Sequence, residues 1–214
     1  MTSDPAARVR EPRQARSLET YERMLDAAEE ILLETSFDDA TVAEVAGRAG
    51  VTIGAFYARF ADKDALLRQL ELRMEKDFIA LNADNDDEIA RLTLEALVLN
   101  HHRRLIGVYR RRRAIARALV LRSHTDPALR RRIEKLNTKS LPRFARSLRE
   151  HAYIDHPQPI RAIQFALVAV RSVCREVILF RESWPNARPL TDQELAKELT
   201  RQFLTYLGAR SKRK

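Results

Sequence analysis

The sequence has few of the features that mark secreted or membrane proteins. Its 214 residues include one cysteine, Cys174, which excludes an intramolecular disulfide and fits a reducing compartment. The first residues contain no apolar stretch of the kind found in secretory signals. The most apolar long segment, 160–180, is not expected to span a membrane, because charged and polar side chains interrupt it. The interrupting residues are Arg161, Gln164, Arg171, Arg175 and Glu176. We therefore expect a cytoplasmic protein with no membrane partner.

Glycine is also scarce, and no segment alternates polar and apolar residues as strands do. There are five glycines, while hydrophobic residues make up 45% of the chain, enough to bury a core. Apolar residues recur instead at helical spacing, which predicts an all-α fold. Caps and apolar faces predict helices from Ser17 to near Phe37, from Thr41 to about Arg48, from Thr52 to near Phe60, and from Asp62 past Phe78. Further helices are expected at roughly 86–107, 109–123, 126–151, 158–183 and 191–209.

Residues 41–60, TVAEVAGRAGVTIGAFYARF, have the pattern of a helix-turn-helix. Ala46 is small enough for two helices to cross closely, and Gly50 suits a turn that needs a positive φ. Four apolar residues can fix both helices to a third, so the second helix is left to enter a major groove. These residues are Val42, Val45, Val51 and Phe56.

Residue chemistry in and around this motif identifies candidate DNA contacts. Hydroxyls and cations can bind phosphates, small residues allow close approach to bases, and arginines in the N-terminal arm could enter a minor groove. The predicted DNA-binding residues are Arg13, Arg16, Thr41, Arg48, Thr52, Ile53, Gly54, Ala55, Tyr57, Arg59 and Lys63. Alternatives remain open at this point: the two threonines could be plain caps, Gly54 could be incidental, and Tyr57 and Phe60 could be core residues, which is the preferred interpretation for Phe60.

The stretch TVAEVAGRAGVTIGAFYARFADKDALL resembles the N-terminal domain of the TetR/AcrR family of bacterial transcription regulators. The resemblance lies in A-x-x-A-G-V-[ST]-x-G-x-x-Y-x-x-F followed by K-[DE]-x-L. The matching residues are Ala46, Ala49, Gly50, Val51, Thr52, Gly54, Tyr57, Phe60, Lys63, Asp64 and Leu66. The family frequently has Gly, His and Ser where this chain has Ser36, Arg59 and Asp62.

The resemblance implies a particular organisation of the chain. We expect a flexible basic arm at 1–16, a three-helix DNA-binding domain at 17–68, and a larger helical effector-binding and dimerisation domain at 69–214. It also implies a homodimer on double-stranded operator DNA and a small-molecule effector that releases the repressor, with no cofactor. Alternative functions are a ligand-independent DNA-binding repressor, or a helical lipid-binding protein or enzyme with an incidental helix-turn-helix.

The charge distribution bears on the effector. The chain carries a net charge of +9, yet residues 1–68 are net acidic, and the excess of arginine lies in 103–149. Most of these arginines could be solvated surface, but some could bind an anionic effector or add non-specific attraction to DNA. Weak candidates for effector binding are His101, Arg104 and Arg117. The role of the consecutive arginines 110–113 stays open.

The last two predicted helices suggest a dimer interface. The helix at 158–183 has one stripe formed by Ile163, Leu167, Val170, Cys174 and Val177, and a second formed by Ala162, Ala166, Ala169 and Val173. This helix could be the central helix of a large core. Alternatively, one stripe would face the protomer and the other a second copy, with Leu195, Leu199, Phe203 and Tyr206 completing the interface. No catalytic constellation is visible, Cys174 fits packing better than nucleophilic chemistry, and His101-His102 lack the spacing of a metal site.

Overall fold

The structure is a computed structural model that describes residues 15–81, 90–181 and 188–212, with backbone only for residues 15, 16 and 137–142. The described residues are largely helical, which confirms the all-α prediction. The elements are α1 (Ala15–Glu34), α2 (Val42–Arg48), α3 (Ile53–Tyr57), α4 (Lys63–Ala80), α5 (Leu94–Arg111), α6 (Arg113–Arg122), α7 (Pro127–His151), β1 (Ala152–Tyr153), α8 (Pro159–Leu179), α9 (Asp192–Tyr206) and β2 (Arg210–Ser211). None of these helices combines the length and apolarity needed to cross a membrane.

The chain forms two compact units. The first contains Met1–Glu75 and Ala114–Pro127, and the second contains Lys76–Arg113 and Ala128–Lys214. Most of α6 therefore belongs to the first unit, although the boundary expected after residue 68 places that segment in the second. The chain passes from the second unit to the first after Arg113 and returns to the second unit at Ala128.

The core of the first unit is formed by α1, α3 and α4. Phe56 and Phe60 are fully buried and lie 5.2 Å apart between ring centroids. Tyr21 of α1 stacks on Phe60 at 5.7 Å, so the end of the helix-turn-helix segment is fixed against α1. Phe60 is thus a core residue, as the sequence predicted.

A single arginine of α4 pairs with half of the acidic residues of α1. Arg73 of α4 is largely buried and pairs with Glu22, with Asp26 at 2.7 Å and with Glu29 at 3.4 Å. Burial lowers the pKa of Arg73, but the carboxylates of Asp26 and Glu22 outweigh this effect and raise the pKa above its usual value. The acidic face of α1 is therefore turned to α4 and stabilises the contact between the two helices.

The core of the second unit is formed mainly by α5, α8 and α9. Apolar side chains of all three helices are almost completely buried, including Leu105, Ile163 and Phe203. A short antiparallel pair joins the segment after α7 to the segment after α9, with Ala152 opposite Ser211 and Tyr153 opposite Arg210. A two-residue ladder leaves too short a pattern to be seen as alternation in the sequence, so these strands were not predicted.

Several helix ends differ from the prediction. α1 begins at Ala15, so Ser17 is not its cap, and the Ser17 hydroxyl instead accepts a hydrogen bond from Arg59. α5 begins after Thr93, whose hydroxyl accepts from the backbone N–H of Ala96 at 3.2 Å. This cap was missed because no Glu or Gln stands three residues later to complete a capping box.

Three further ends are also displaced. The α5–α6 boundary lies at Arg112 rather than at residue 108, α8 ends at Leu179, and α9 ends at Tyr206. The predicted caps at Thr41, Thr52 and Thr191 are confirmed by hydrogen bonds to backbone N–H groups. The predicted cap at Asp62 accepts from the N–H of Ala65 at 2.7 Å.

Candidate nucleic-acid interface and effector unit

The turn between α2 and α3 is built on Gly50. Its φ of 64° lies in the left-handed region, which glycine occupies without the steric penalty that other residues pay. The N–H of Gly50 donates to the Gly47 carbonyl at 3.1 Å, and the N–H of Val51 donates to the Ala46 carbonyl at 2.9 Å. These bonds close the end of α2 as a helix C-cap motif does, and they set the direction in which α3 leaves.

Thr41 begins α2 with a complete capping box. Its backbone N–H and its hydroxyl both donate to the Glu44 carboxylate at 2.7 Å, and its hydroxyl accepts from the Glu44 N–H at 3.2 Å. The Thr41 hydrogen bonds lower the pKa of Glu44, so the carboxylate stays charged near neutral pH. Both donors of Thr41 are occupied inside the protein, which weakens its case as a phosphate contact.

Thr52, at the start of α3, differs from Thr41 in this respect. Its hydroxyl accepts from the Ala55 N–H at 3.0 Å, but within the described part of the chain no acceptor takes the hydroxyl proton. The residue is exposed and stands at the N-terminal end of the helix, where the backbone favours anions. Thr52 therefore keeps a hydroxyl donor that a phosphate can use.

The exposed face of α3 contains most of the remaining candidates. Ile53 and Tyr57 are about half exposed, and Gly54 is exposed, while Phe56 points into the core. Ala55 is only partly exposed, so it contributes less to this surface than predicted. A Cβ at Gly54 would meet only the Thr52 hydroxyl, at 3.8 Å, so packing does not require glycine there.

Three of the cations predicted to contact DNA have protein partners. Arg48 binds the Glu34 carboxylate at 2.7 and 3.0 Å, and this bond raises the pKa of the guanidinium. Arg59 is half-buried beside Ser17. Lys63 donates to the carbonyls of Asp38 and Ala40 at 2.8 and 2.9 Å.

Because of these protein contacts, the cations differ in how readily they could bind a DNA phosphate. An ammonium has three donors, and Lys63 uses two on the carbonyls, so one remains. Its Nζ also lies 4.8 Å from the centre of the Phe37 ring, which fixes the charge beside the turn that precedes α2. Arg48 would have to share or leave Glu34. Arg13 lies outside the described residues, as does the Arg16 side chain.

The three candidates for effector binding do not share one compact unit. Arg117 lies in the first unit, where it lines a cavity of about 360 Å³ together with the end of α1 and Asp38. His101 and Arg104 lie on α5 in the second unit. The Arg104 guanidinium donates to the Ala80 carbonyl at 2.6 Å, and the His101 ring stacks on Phe144 at 3.9 Å.

The arginine run 110–113 is divided between structural and exposed roles. Arg110 binds Asp192 at 2.8 Å, and Arg112 binds Asp77 at 2.9 Å, so these two join α5 to α9 and to α4. Arg111 and Arg113 are exposed. Two of the four cations therefore have a role in the fold of the second unit.

Sequence reasoning missed His102 as a site residue. It is completely buried, and burial lowers its pKa to about 3, so it is neutral at physiological pH. Its Nδ1 lies 3.0 Å from the Thr200 hydroxyl on α9. Its burial could have been predicted from helical spacing. Val98 and Ile106, four residues before and four residues after His102 on α5, are apolar and buried, so residue 102 shares their face of the helix.

The second unit also has an apolar cavity of about 390 Å³. Val173, Val177 and Leu190 contribute apolar surface, while three guanidiniums and one carboxylate stand around it. The charged lining residues are Arg110, Arg181, Arg188 and Glu176. Because several of these residues are exposed, the cavity is a surface groove along the C-terminal part of α8.

The outward face of α8 differs from the predicted one. Ala162 and Ala166 are buried inside the protomer, whereas Phe165 and Val168 are 59% and 57% exposed. On α9, the predicted interface residues Leu195, Leu199 and Phe203 are each 2% exposed and belong to the protomer core. Tyr206 remains on the surface and contacts Phe165, with ring centroids 5.4 Å apart.

The Cys174 thiol and the possible metal ligands are the remaining groups that could carry chemistry. Cys174 is buried, and burial raises the pKa of its thiol to about 12, so it is protonated and suited to packing. Within the ranges that the structure describes, no group of three or more His, Cys, Asp or Glu residues could hold a metal ion.

Comparison with known proteins finds similarity to one family in the segment that contains the helix-turn-helix. The family described as "Bacterial regulatory proteins, tetR family" matches residues 24–70, which contain α2, α3 and the turn between them. The repressor BepR of Brucella suis is 37% identical over 75 residues, 34% of this chain and 36% of that protein. The A-factor receptor protein of Streptomyces griseus is 34% identical over 58 residues, 27% of this chain and 21% of that protein.

The matched segments thus span about a third or less of these two curated relatives. The fold agrees over a much longer range: a tetR-family transcriptional regulator from Streptomyces coelicolor superposes with a TM-score of 0.66 at 17% identity, covering 88% of this chain and 80% of that one. Its similarity concerns the fold alone. The helix-turn-helix segment of this chain is thus similar to that of tetR-family bacterial regulatory proteins, and the described remainder is similar to a solved member of that family in fold.

Proposed function

We propose that this protein is a ligand-responsive transcriptional regulator that binds double-stranded operator DNA and is released from it by a small molecule. The exposed face of α3 is the observation that carries the proposal. It presents Thr52, Ile53, Gly54 and Tyr57 to solvent, while Phe56 and Phe60 hold the helix from behind. The names of two relatives, a repressor and a receptor, support repression and ligand response.

Phosphate contacts are proposed at the edges of this face. Thr52 keeps a hydroxyl proton, Tyr57 exposes its phenol, and Lys63 keeps one ammonium donor beside the turn before α2. Contacts of this kind position a protein on DNA without reading sequence, so their loss should weaken binding to all duplexes alike. Thr41, Arg48, Arg59 and the arm arginines Arg13 and Arg16 are secondary candidates.

Selection of bound duplexes from a random double-stranded library tests the DNA function. We expect an inverted-repeat site, because two copies of α3 would occupy successive major grooves. Tyr57→Phe should weaken binding to the selected site and to unrelated duplexes by the same factor. Tyr153→Phe is the matched control, since Tyr153 is also exposed but lies in the second unit. Recovery of no preferred site would refute sequence-specific binding.

We also propose that a second copy of the chain covers the outward face of α8. Phe165, Val168 and Tyr206 are exposed apolar side chains there, and Phe165 contacts Tyr206. The groove lined by Val173 and Val177 continues along the same helix. A homodimer would bury these side chains and supply the two-fold symmetry that an inverted repeat requires.

Analytical ultracentrifugation tests the dimer. Phe165→Asp should shift the protein towards monomer and reduce the affinity for an inverted repeat more than for a half-site. Leu33→Asp is the control, because Leu33 is 66% exposed but lies on α1 in the first unit. Equal sedimentation of Phe165→Asp and the native protein would place the interface elsewhere.

A further inference from the structure

The core of the second unit contains a buried polar cluster in which one nitrogen atom has no hydrogen-bond partner among the described residues. His102 of α5 and Thr200 of α9 are buried, with exposures of 0% and 3%. The edge of the His102 ring meets Phe203 at 5.4 Å, and Phe144 lies 6.1 Å from Phe203. A histidine is unusual among these aromatic side chains, because a phenylalanine at this position would place no polar atom in the core that needs a hydrogen-bond partner.

The hydrogen bonds of Thr200 fix the tautomer of His102. The Thr200 hydroxyl donates its one proton to the Ala196 carbonyl, 2.7 Å away on the same helix. It can therefore only accept from His102, whose Nδ1 lies at 3.0 Å. Since the imidazole is neutral, a proton on Nδ1 leaves Nε2 with a lone pair and no hydrogen, so Nε2 is an acceptor.

This Nε2 acceptor has no hydrogen-bond partner among the residues that the structure describes. It is buried, and within the described residues no donor reaches it. Buried polar atoms without partners are rare in native proteins and point to a role outside the fold itself. The opposite nitrogen is firmly bound, so the ring cannot turn to satisfy Nε2 without giving up the bond to Thr200.

The adjacent His101 extends the same uncharged aromatic surface. Its ring stacks on Phe144 at 3.9 Å, and it lies 6.0 Å from His102. Burial lowers the pKa of His101 well below its usual value, and the positive charges of Arg171 and Arg104 act in the same direction. Both imidazoles are thus neutral, and the unpartnered acceptor of His102 lies among aromatic faces.

We propose that His102 Nε2 accepts a hydrogen bond from a neutral donor on the effector, and that the effector is an apolar molecule bearing a hydroxyl group. A carboxylate or phosphate cannot serve here, because its oxygens would face a lone pair. The inference rests on the proposed ligand response, and it replaces the expectation of an anionic effector with a neutral one at this position.

Straight-chain primary alcohols, paired with methyl ethers of equal heavy-atom count, are the probes. Binding is measured by calorimetry on the full-length protein, and long-range ¹⁵N–¹H NMR of the histidine rings reports which nitrogen is protonated. We expect His102 to show a bare Nε2 without ligand, and an upfield shift of that nitrogen when an alcohol binds. The alcohols should bind about tenfold more tightly than the matched ethers, as one buried hydrogen bond implies.

Two variants separate the acceptor from the shape of the ring. His102→Phe should bind alcohols and ethers equally, whereas His102→Gln, which can place an amide oxygen near the Nε2 position, should keep part of the preference. If a variant does not fold, the NMR measurement on the native protein still decides the tautomer.

Four results would overturn the proposal. They are a protonated Nε2 in the native protein, equal affinities for alcohols and ethers, an unchanged preference in a folded His102→Phe, or no binding of either series. The proposed function is tested separately, because recovery of an operator sequence and its release by some other compound would leave that function standing.

Discussion

Replacing Gly54 by alanine separates the fold of α3 from its contact with DNA. Gly54 is the second residue of the helix and is exposed, and an added Cβ would lie 3.8 Å from the Thr52 hydroxyl, an ordinary contact. Alanine is favoured over glycine in helices by up to about 1 kcal/mol. For this short helix we expect a stabilisation of about 0.5 kcal/mol, or a rise of about 1–2 °C in Tm.

The expected effect on DNA affinity has the opposite sign. If α3 brings its backbone at Gly54 against base edges, an added methyl overfills a close contact and costs about 1–3 kcal/mol. Since about 1.4 kcal/mol corresponds to a tenfold change, the loss would lie between about 5-fold and 150-fold. The variant would therefore be the more stable protein and the poorer DNA binder.

The assay pairs thermal unfolding with fluorescence anisotropy on the selected duplex. Gly47→Ala is the matched control: it lies in α2, has nothing within 4 Å of an added Cβ, and should gain stability without losing affinity. Unchanged affinity of Gly54→Ala would refute close approach at this position. A loss of stability would instead show that the local packing is not as described.

Three further perturbations test the fold and its charges. Arg73→Met should lower the free energy of unfolding by about 2 kcal/mol, because it leaves Glu22, Asp26 and Glu29 without their shared cation. Added salt should reduce the difference in stability between this variant and the native protein. An unchanged Tm at low salt would contradict the ion-pair network. The folded-state pKa of His102 is lowered to about 3, so the stabilisation it contributes is present above the unfolded pKa and is lost as pH falls. Between pH 7.5 and pH 5 this amounts to about 2 kcal/mol, and His102→Gln should show correspondingly less acid destabilisation in urea titrations. Cys174, buried with a pKa raised to about 12, should react with Ellman's reagent only at the rate of protein opening, and rapid labelling of the native protein would show that it is accessible.

Much of the first unit could be predicted because its signals are local. Gly50 is required by a positive φ, and Thr41 and Thr52 are required by helix starts, so each leaves its mark within a few residues. The family resemblance rests on the same short segment. Local steric and hydrogen-bonding demands are readable without knowledge of the rest of the chain.

The role of each charge could not be predicted in this way. From the sequence, Arg48, Lys63 and Arg59 were predicted to contact DNA. In the structure they contact Glu34, the Asp38 carbonyl and Ser17, which belong to other elements of the fold. The arginine run 110–113 likewise gave no sign that two members pair with Asp192 and Asp77. Ion pairs depend on which side chains meet after folding, and sequence spacing does not report that.

By itself the sequence determined the helical class, the turn at Gly50 and the helix starts, because these depend on backbone geometry within a few residues. Only the tertiary structure decided that Phe165 rather than Ala166 faces outward on α8, and that residues 114–127 join the first unit. The buried acceptor on His102 also emerged only there, since its tautomer is set by Thr200, which lies 98 residues away in the chain. Burial and long-range hydrogen bonding are properties of the assembled core, and no local pattern encodes them.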